Sequence, residues 1–317
     1  MYAGFLINIA PDSKLLNPKF LSLYVQTKEY WDWIARTSVR SGQPGVNGQE
    51  YAQLPVPLPN ITVQNAIADA MADVDDLIAT LERLIAKKQA IKQGMMQQLL
   101  TGRTRLPGFT DEWRRLDVAS RSVVKARIGW QGLKTGEYRD SGIYRLVGGT
   151  EFVDGRIDWS RTPFVDKWRY DQDSYIQLCV GDVLLTKDGT IGKTAYVDAL
   201  PGPATLNSGV FVIRPVRDAY DPAFLYWMLR SRAFDEFLAR LTAGSTISHL
   251  YQRDLVTLVL NVPASIEEQR AIAGVLGDAE AEVATLEDRL TKARAIKTGM
   301  MQQLLTGRTR LPVEAVS

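Results

Sequence analysis

Apolar residues recur at alternating spacings of four and three along two long segments of the chain. In the first segment they are Ile67, Met71, Val74, Ile78, Leu81 and Ile85, and in the second they are Ile272, Leu276, Ala279, Val283, Leu286, Leu290 and Ala293. This spacing is typical of a narrow coiled-coil seam along an α-helix. The sequence therefore predicts that two long helices pack on each other along Ile67, Val74 and Leu81 and along Ile272, Ala279 and Leu286. In the alternative, each helix covers a neighbouring domain.

The region between the two helical segments has a different pattern. Short apolar runs alternate with turn residues, at residues 143–147, 183–186, 209–213 and 255–260, and an aromatic-rich helical pattern covers 222–241. Such alternation predicts a mixed α/β domain over residues 108–263. The fold class is therefore α+β, with two long helices expected to form an antiparallel coiled coil.

The chain repeats itself. Residues 90–107 (AIKQGMMQQLLTGRTRLP) and 295–312 (AIKTGMMQQLLTGRTRLP) differ at one of 18 positions, at an offset of 205. An earlier stretch, Asn17-Pro18-Lys19-Phe20-Leu21, matches Asp221-Pro222-Ala223-Phe224-Leu225. The second copy spans 205 residues and the first ends at residue 107, so the first is 98 residues shorter at its front (205 less 107).

This repeat predicts four regions. Residues 1–60 correspond to the rear part of a first domain, and 61–107 to the first long helix and a linker. Residues 108–263 form a complete second domain, and 264–317 the second helix and a tail.

Charge is balanced overall but segregated locally. The 38 Lys and Arg residues against 36 Asp and Glu give a net charge of +2, which does not by itself indicate a nucleic-acid partner. Between residues 113 and 130, however, five basic residues accompany one acidic residue. This run predicts DNA phosphate contacts by Arg121, Lys125 and Arg127. A solvated charged face is the alternative.

Several function classes are excluded. One cysteine, Cys179, and one histidine, His249, cannot form an internal disulfide or a zinc site of the usual kind. The chain has no signal peptide and no apolar run long enough to span a membrane, so a cytoplasmic location and no membrane partner are expected.

Two segments imitate catalytic motifs without meeting their requirements. Gly189 to Thr194 ends like a nucleotide-binding loop, but two residues instead of four separate its glycines, which favours a tight turn. Asn17-Pro18 and Asp221-Pro222 resemble an amino-methyltransferase motif that needs a second proline, and both are better explained as an N-cap followed by proline at the first helical position. The residues therefore favour a protein that is not an enzyme.

A set of motifs resembles the specificity subunit of type I restriction-modification systems. The set is GDVLLTKDGTIGK (residues 181–193), NSG (207–209), GSTI (244–247), EEQRAIA (267–273) and the closing LLTG-RLP. The resemblance implies two target-recognition domains, each followed by a helix of an antiparallel spacer. It also implies a noncatalytic subunit that directs type I methyltransferase and motor-nuclease restriction subunits to a bipartite site on double-stranded DNA. No cofactor is expected in this chain, whereas S-adenosylmethionine, ATP and Mg are expected in the partner subunits.

Glycines, hydroxyls and cations in two loops favour contact with phosphates or base edges. With two further polar residues from neighbouring loops, Arg145 and Thr150, the candidates are Lys187, Thr190, Lys193, Ser245, Thr246, Ser248 and His249. The alternative is that these loops are structural turns.

The first copy departs from the family pattern, because its front part and its GTIGK-like loop are absent. Either the gene is truncated, or its start is misplaced, or another chain completes the half-domain. The alternative function is a truncated or defective copy that acts as a protein-interaction scaffold or a half-site reader.

Overall fold

The computed structural model describes residues 6–39, 44–129, 132–242 and 249–310. The chain divides into two compact units: residues 1–89 with 282–317, and residues 90–281. Two 39-residue helices, α4 (Ile61–Leu99) and α9 (Ile266–Leu304), contribute to both units. None of the helices among the described residues has the length and apolarity needed to cross a bilayer. The four predicted regions, which differ from these two units, stay a prediction.

The first unit is helical in its described part. It contains α1 (Pro18–Tyr24), α2 (Lys28–Thr37) and α3 (Gly48–Tyr51), with the start of α4 and the end of α9. Asn17 caps α1 by accepting the N–H groups of Lys19 and Phe20, and Pro18 occupies the first helical position. The predicted N-cap role of Asn17 is therefore confirmed.

In the first unit α4 and α9 run antiparallel. Leu81, Ile85, Leu286 and Ala293 form one buried cluster between them, so the two helices pack on each other as predicted. Ion pairs flank this seam: Asp75 with Lys297 and Glu82 with Arg294, each at 2.6 Å. A second cluster, at the far ends of the same helix segments, joins Ile67 and Met71 to Phe20 of α1 and to Leu304 and Leu305.

The described residues of the second unit form eleven strands and four short α-helices besides its parts of α4 and α9. The strands are β1 (Trp113–Asp117), β2 (Ser122–Ala126), β3 (Tyr144–Val147), β4 (Phe152–Val153), β5 (Arg156–Ile157), β6 (Phe164–Val165), β7 (Val183–Thr186), β8 (Thr194–Tyr196), β9 (Ala204–Leu206), β10 (Val210–Pro215) and β11 (Val259–Pro263). A further short helix, α5 (Lys167–Asp171), precedes β7, and the other three are α6 (Pro222–Met228), α7 (Arg232–Thr242) and α8 (Gln252–Leu255).

These strands form four sheets. The largest has the order β2-β10-β7-β8 and is antiparallel throughout. A three-stranded sheet, β6-β3-β9, contains one parallel pair, β3 with β9. The pairs β1-β11 and β4-β5 complete the set. Phe211 of β10 lies opposite Ala126 of β2 and Leu185 of β7, which makes β10 a central strand.

The four-stranded sheet separates two cores because its side chains alternate between its faces. On one face Val183, Leu185, Phe211 and Ile213 pack against α6 and α7 in a cluster that also contains Met96, Leu99, Leu100, Ile272 and Leu276 of the long helices. On the other face Leu184, Val210 and Val212 pack with Val147, Phe152 and Leu206.

The predicted elements agree with the structure in most places. The run 183–186 is strand β7 as predicted, and Asp221 caps α6 through the N–H of Phe224 at 2.9 Å. The helical pattern over 222–241 predicted one helix, and this was wrong because the chain turns between α6 and α7. The start of the strand predicted from the apolar run 255–260 was also wrong, because the strand begins only at Val259, after α8 and a turn.

The two copies of the sequence repeat also make equivalent hydrogen bonds in the structure. In the second unit Gln269 accepts the N–H of Asp221 at 2.8 Å and donates to the carbonyl of Pro263 at 2.8 Å. In the first unit Gln64 accepts the N–H of Asn17 at 2.8 Å and donates to the carbonyl of Pro59 at 2.7 Å.

Helix pairing repeats as well. Lys92 lies 3.3 Å from Glu280 in the second unit, and these positions are equivalent to Lys297 and Asp75 of the first at the offset of 205. Each unit therefore makes the same contacts to its segments of the long helices.

Candidate nucleic-acid interface

Loops from separate parts of the second unit meet at one edge of its sheets. Residues 148–151 follow β3 and residues 207–209 follow β9, and these two strands are parallel, so both loops leave at the same edge. The loop between β7 and β8, residues 187–193, joins them through the Lys187 N–H, which donates to the Gly209 carbonyl at 2.9 Å. We call residues 148–151, 187–193 and 207–209, together with Tyr138 and His249, the loop edge.

The side chain of Thr186 stabilises the 187–193 loop through two hydrogen bonds. Its hydroxyl donates to the Thr190 carbonyl at 2.6 Å and accepts the N–H of Lys193 at 2.9 Å. Gly192 has a φ of +89°, and a Cβ at that position would lie 2.5 Å from Cδ1 of Leu238 on α7. The predicted tight turn after β7 is therefore confirmed, and the loop leaves Thr190 and Lys193 exposed.

The loop itself carries a charged group, Asp188. The Asp188 carboxylate contacts Lys187 at 3.4 Å and pairs with Nδ1 of His249, whose side chain is half-exposed. The Lys187 ammonium also lies 5.9 Å from the ring centre of Phe211. Asp188 therefore holds Lys187 and His249 in place, and it partly neutralises the positive charge of Lys187.

The remaining loops add polar groups. Thr150 is exposed and donates to Glu151 at 2.5 Å, and the buried Glu151 accepts the N–H of Gly148 at 2.7 Å. Asn207 donates from Nδ2 to the hydroxyl of Tyr138 at 2.9 Å. These contacts place Thr150 at the loop edge with amide and phenol groups.

Sequence reasoning missed three residues of this edge: Tyr138, Asp188 and Asn207. The sequence indicated Asn207 only as part of the NSG motif. It indicated Asp188 only as part of the segment 181–193, which contains GTIGK. Tyr138 carries no local signal, because its partner Asn207 is 69 residues away.

The predicted phosphate contact by Arg127 was wrong, because the structure buries this residue. Its side chain is 1% exposed, and its guanidinium donates to the Leu206 carbonyl at 2.9 Å and to the Thr205 hydroxyl at 3.2 Å. Burial lowers the pKa of the Arg127 guanidinium, and the neighbouring charge of Arg169 lowers it further. Arg127 joins β2 to β9 and is not available to a phosphate in this structure.

Arg145 is likewise used internally. Its guanidinium donates to the Trp159 carbonyl and to the Thr162 hydroxyl, both at 2.7 Å, and lies 4.8 Å from the ring centre of Phe164. The half-buried side chain thus holds residues 159–164 against β3.

Arg121 and Lys125 are exposed but lie away from the loop edge. Because Ser122 of β2 pairs with Pro215 of β10, Arg121 lies at the opposite edge of the four-stranded sheet. Lys125 lies on the edge strand β2 opposite Val212, with its ammonium 5.1 Å from the ring centre of Tyr175. The basic run therefore does not form one surface. Three further candidates, Ser245, Thr246 and Ser248, lie outside the described residues.

The loop edge is a surface of hydroxyls, amides and cations around a close backbone turn. Such groups donate and accept the hydrogen bonds that phosphates and base edges offer. Within the part of the chain that the structure describes, no group of three or more His, Cys, Asp or Glu residues could hold a metal ion.

Comparison with known proteins identifies the class to which a protein with these features belongs. The family of the type I restriction modification DNA specificity domain matches residues 2–93 and 132–293, which is more than half of the chain. The chain belongs to this family.

Individual proteins show the same likeness. The chain is 24% identical to the type I restriction enzyme MjaVIII specificity subunit of Methanocaldococcus jannaschii, over 96% of this chain and 73% of that protein. It is 22% identical to the putative MjaX specificity subunit of the same organism, over 96% and 71%. Its fold is similar to the crystal structure of the S subunit from M. genitalium, with a TM-score of 0.64 and 14% identity over 93% of this chain and 74% of that one.

Proposed function

We propose that this chain is the noncatalytic DNA-recognition subunit of a type I restriction-modification complex. The observation that carries the proposal is the family match in both copies of the repeat, at residues 2–93 and 132–293. In this role the chain directs methyltransferase and restriction subunits to a DNA site. S-adenosylmethionine, ATP and Mg belong to those partner subunits, and this chain binds none of them.

The loop edge of the second unit is the proposed DNA-reading surface. Thr190 and Lys193 project from a loop whose backbone is anchored by Thr186 and Gly192, so their position does not depend on their own contacts. Thr150 and His249 come from other segments of the same edge. A preorganised loop backbone loses little entropy on binding.

A second role follows if only one unit reads DNA. Among the described residues of the first unit there is no β-strand, whereas its contacts to α4 and α9 are intact. The chain would then bring partner subunits to a single half-site, as a half-site reader or an interaction scaffold.

The test uses the complex with its methyltransferase subunit and a randomised pool of DNA duplexes. Lys193→Ala should weaken binding to all sequences and lower the salt slope by about one, because one phosphate contact is lost. Arg121→Ala is the matched control, since Arg121 is an exposed cation at the opposite edge, and it should leave both quantities unchanged.

Specificity is tested separately with Thr190→Val, which removes the hydroxyl and keeps the shape of the side chain. It should cost about 1–3 kcal/mol on the preferred site and less on random DNA. If the selected sequence and the salt slope are unchanged in both loop variants, the loop edge does not read DNA.

A further inference from the structure

Two side chains of the loop edge, Tyr138 and Asn207, form a hydrogen-bonded pair. Nδ2 of Asn207 donates to the Tyr138 hydroxyl at 2.9 Å. The Tyr138 side chain is 38% exposed, and Asn207 is half-buried. We call these two side chains the Asn–Tyr pair. The pair is therefore accessible on the surface that we propose to read DNA.

The backbone of both residues of the pair is fixed by strand-like hydrogen bonds. The Asn207 N–H donates to the Val147 carbonyl at 2.8 Å, which continues the pairing of β9 with β3. Next to Tyr138, Arg139 exchanges two backbone hydrogen bonds with Phe164, at 2.9 and 2.8 Å. The sheet therefore determines where the two side chains lie.

The orientation of the Asn207 carboxamide follows from a second hydrogen bond. The Ser208 N–H donates to Oδ1 of Asn207 at 2.8 Å, so the amide nitrogen is the group that faces Tyr138. Because the Tyr138 hydroxyl accepts a proton from Asn207, its own proton is left for another acceptor. The second amide proton of Asn207 is left as well. Among the described residues, neither of these two protons has an acceptor.

The pair therefore offers two uncharged donors whose heavy atoms lie 2.9 Å apart. In the major groove of DNA, guanine presents two acceptors side by side, N7 and O6. Adenine places an amino donor beside N7, cytosine presents an amino donor, and thymine presents O4 beside a methyl group. Two adjacent donors thus match guanine, whereas another base would leave at least one of them without an acceptor.

The width of the loop edge favours the major groove. The loops that follow β3, β7 and β9 lie side by side there. The major groove is about 12 Å wide and admits such a surface, whereas the minor groove is only about 6 Å wide. The donors of the pair are also uncharged, unlike Lys193, whose charge suits a phosphate. The Asn–Tyr pair is therefore better suited to a base than to the DNA backbone.

We propose that the Asn–Tyr pair reads a guanine in the major groove of the recognition site. Tyr138 lies outside the motifs that carry the family resemblance, and it is the specificity-determining residue. Asn207, in the NSG motif, positions the Tyr138 hydroxyl and supplies the second donor. This inference rests on the proposed function, to which it adds a base and the residues that select it.

Sequence selection from a randomised duplex pool, with the methyltransferase subunit present, tests the pair. Tyr138→Phe keeps the ring and removes the hydroxyl donor. The preference for guanine at one position should fall at least about tenfold, while the salt slope and the other positions stay unchanged. Tyr175→Phe is the matched control, because Tyr175 is 62% exposed and its carbonyl contacts Arg214 at the opposite end of β10. This control should leave the selected sequence unchanged.

Asn207→Asp converts the pair from donors to an acceptor. Asp has the shape of Asn and keeps an oxygen for the Ser208 N–H, but it has no amide protons and accepts the proton of Tyr138. The selected guanine should therefore be replaced by cytosine or adenine, whose amino groups can donate to the carboxylate.

Modified duplexes test the same contact without any protein variant. 7-Deazaguanine lacks the N7 acceptor, so at the selected position it should bind the unmodified complex at least about tenfold more weakly than guanine. Inosine keeps both N7 and O6 and should bind as guanine does.

Three results would overturn the proposal. The first is a Tyr138→Phe variant that selects the same guanines as the unmodified chain, whether or not it binds all sequences more weakly. The second is retained guanine selection by an Asn207→Asp variant with normal thermal melting. The third is equal affinity for 7-deazaguanine and guanine.

Failure of this inference is distinguishable from failure of the proposed function. If Lys193→Ala and Thr190→Val still alter DNA binding, the loop edge reads DNA without the Asn–Tyr pair. A complex that selects no sequence at all contradicts the proposed function itself.

Discussion

Replacing Gln269 by Leu tests how much the hydrogen bonds of this residue stabilise the contact between the second recognition domain and α9. The Gln269 side chain is fully buried, and its two hydrogen bonds, both 2.8 Å long, satisfy the Asp221 N–H and the Pro263 carbonyl. Leu is similar in size but can satisfy neither group. A net loss of about 1 kcal/mol per bond, with the added cost of leaving partly buried partners unsatisfied, predicts a destabilisation of about 2–4 kcal/mol.

The assay is urea unfolding at equilibrium, with hydrogen exchange to locate the effect. Exchange should accelerate at residues 219–225, which the Gln269 carboxamide contacts at Asp221. Gln302→Leu, at an exposed position of α9, is the control and should change stability by no more than about 0.5 kcal/mol. Equal effects of the two substitutions would refute the reasoning, because the buried carboxamide would then contribute nothing beyond its volume.

The remaining predictions concern the seam, the interior arginine and a surface ion pair. Replacing both Leu81 and Leu286 by Asp should separate the helix segments of the first unit and lower the melting temperature, since each carboxylate enters an apolar cluster; an unchanged melting curve would contradict the packing. Arg127→Met should reduce stability by about 3 kcal/mol or more through the loss of its interior hydrogen bonds, while the salt slope of DNA binding stays that of the unmodified chain; a lower slope at full stability would restore the phosphate role. Exchanging the charges of Asp75 and Lys297 should leave a coupling energy of about 0.5 kcal/mol in a double-mutant cycle, because the pair is partly exposed, and a value above about 2 kcal/mol would show a buried pair.

Periodicity made the helices and several strands predictable. The periodic spacing of apolar residues around Leu81, and around Leu286, is a local property of the sequence. The proline that follows each capping residue is local as well. The break between α6 and α7 was missed because apolar residues continue through it: Leu229 is buried in the same cluster as Leu225. Packing in three dimensions, and not a glycine or proline, sets this boundary.

The site was less predictable, because its residues are fixed by distant partners. Arg127 stands in a basic run that looks like a phosphate-binding surface, yet its guanidinium is bonded to residues 78 and 79 positions away. Lys193 and Thr190 could be proposed from the loop composition alone. Their common edge with Asn207 and Tyr138 depends on strand pairing between β3 and β9, which the sequence does not show.

The ion pairs of the two long helices limit how selectively these helices recognise each other. Asp75 and Lys297 in one unit, and Glu280 and Lys92 in the other, are the same contact at equivalent positions. An α4 helix from one molecule therefore offers Asp75 and Lys92 in the antiparallel register that an α4 helix from a second molecule requires. The helix sequences do not discriminate between these partners at that contact, so the connection through residues 100–265, which keeps α9 at high local concentration, favours pairing within the chain.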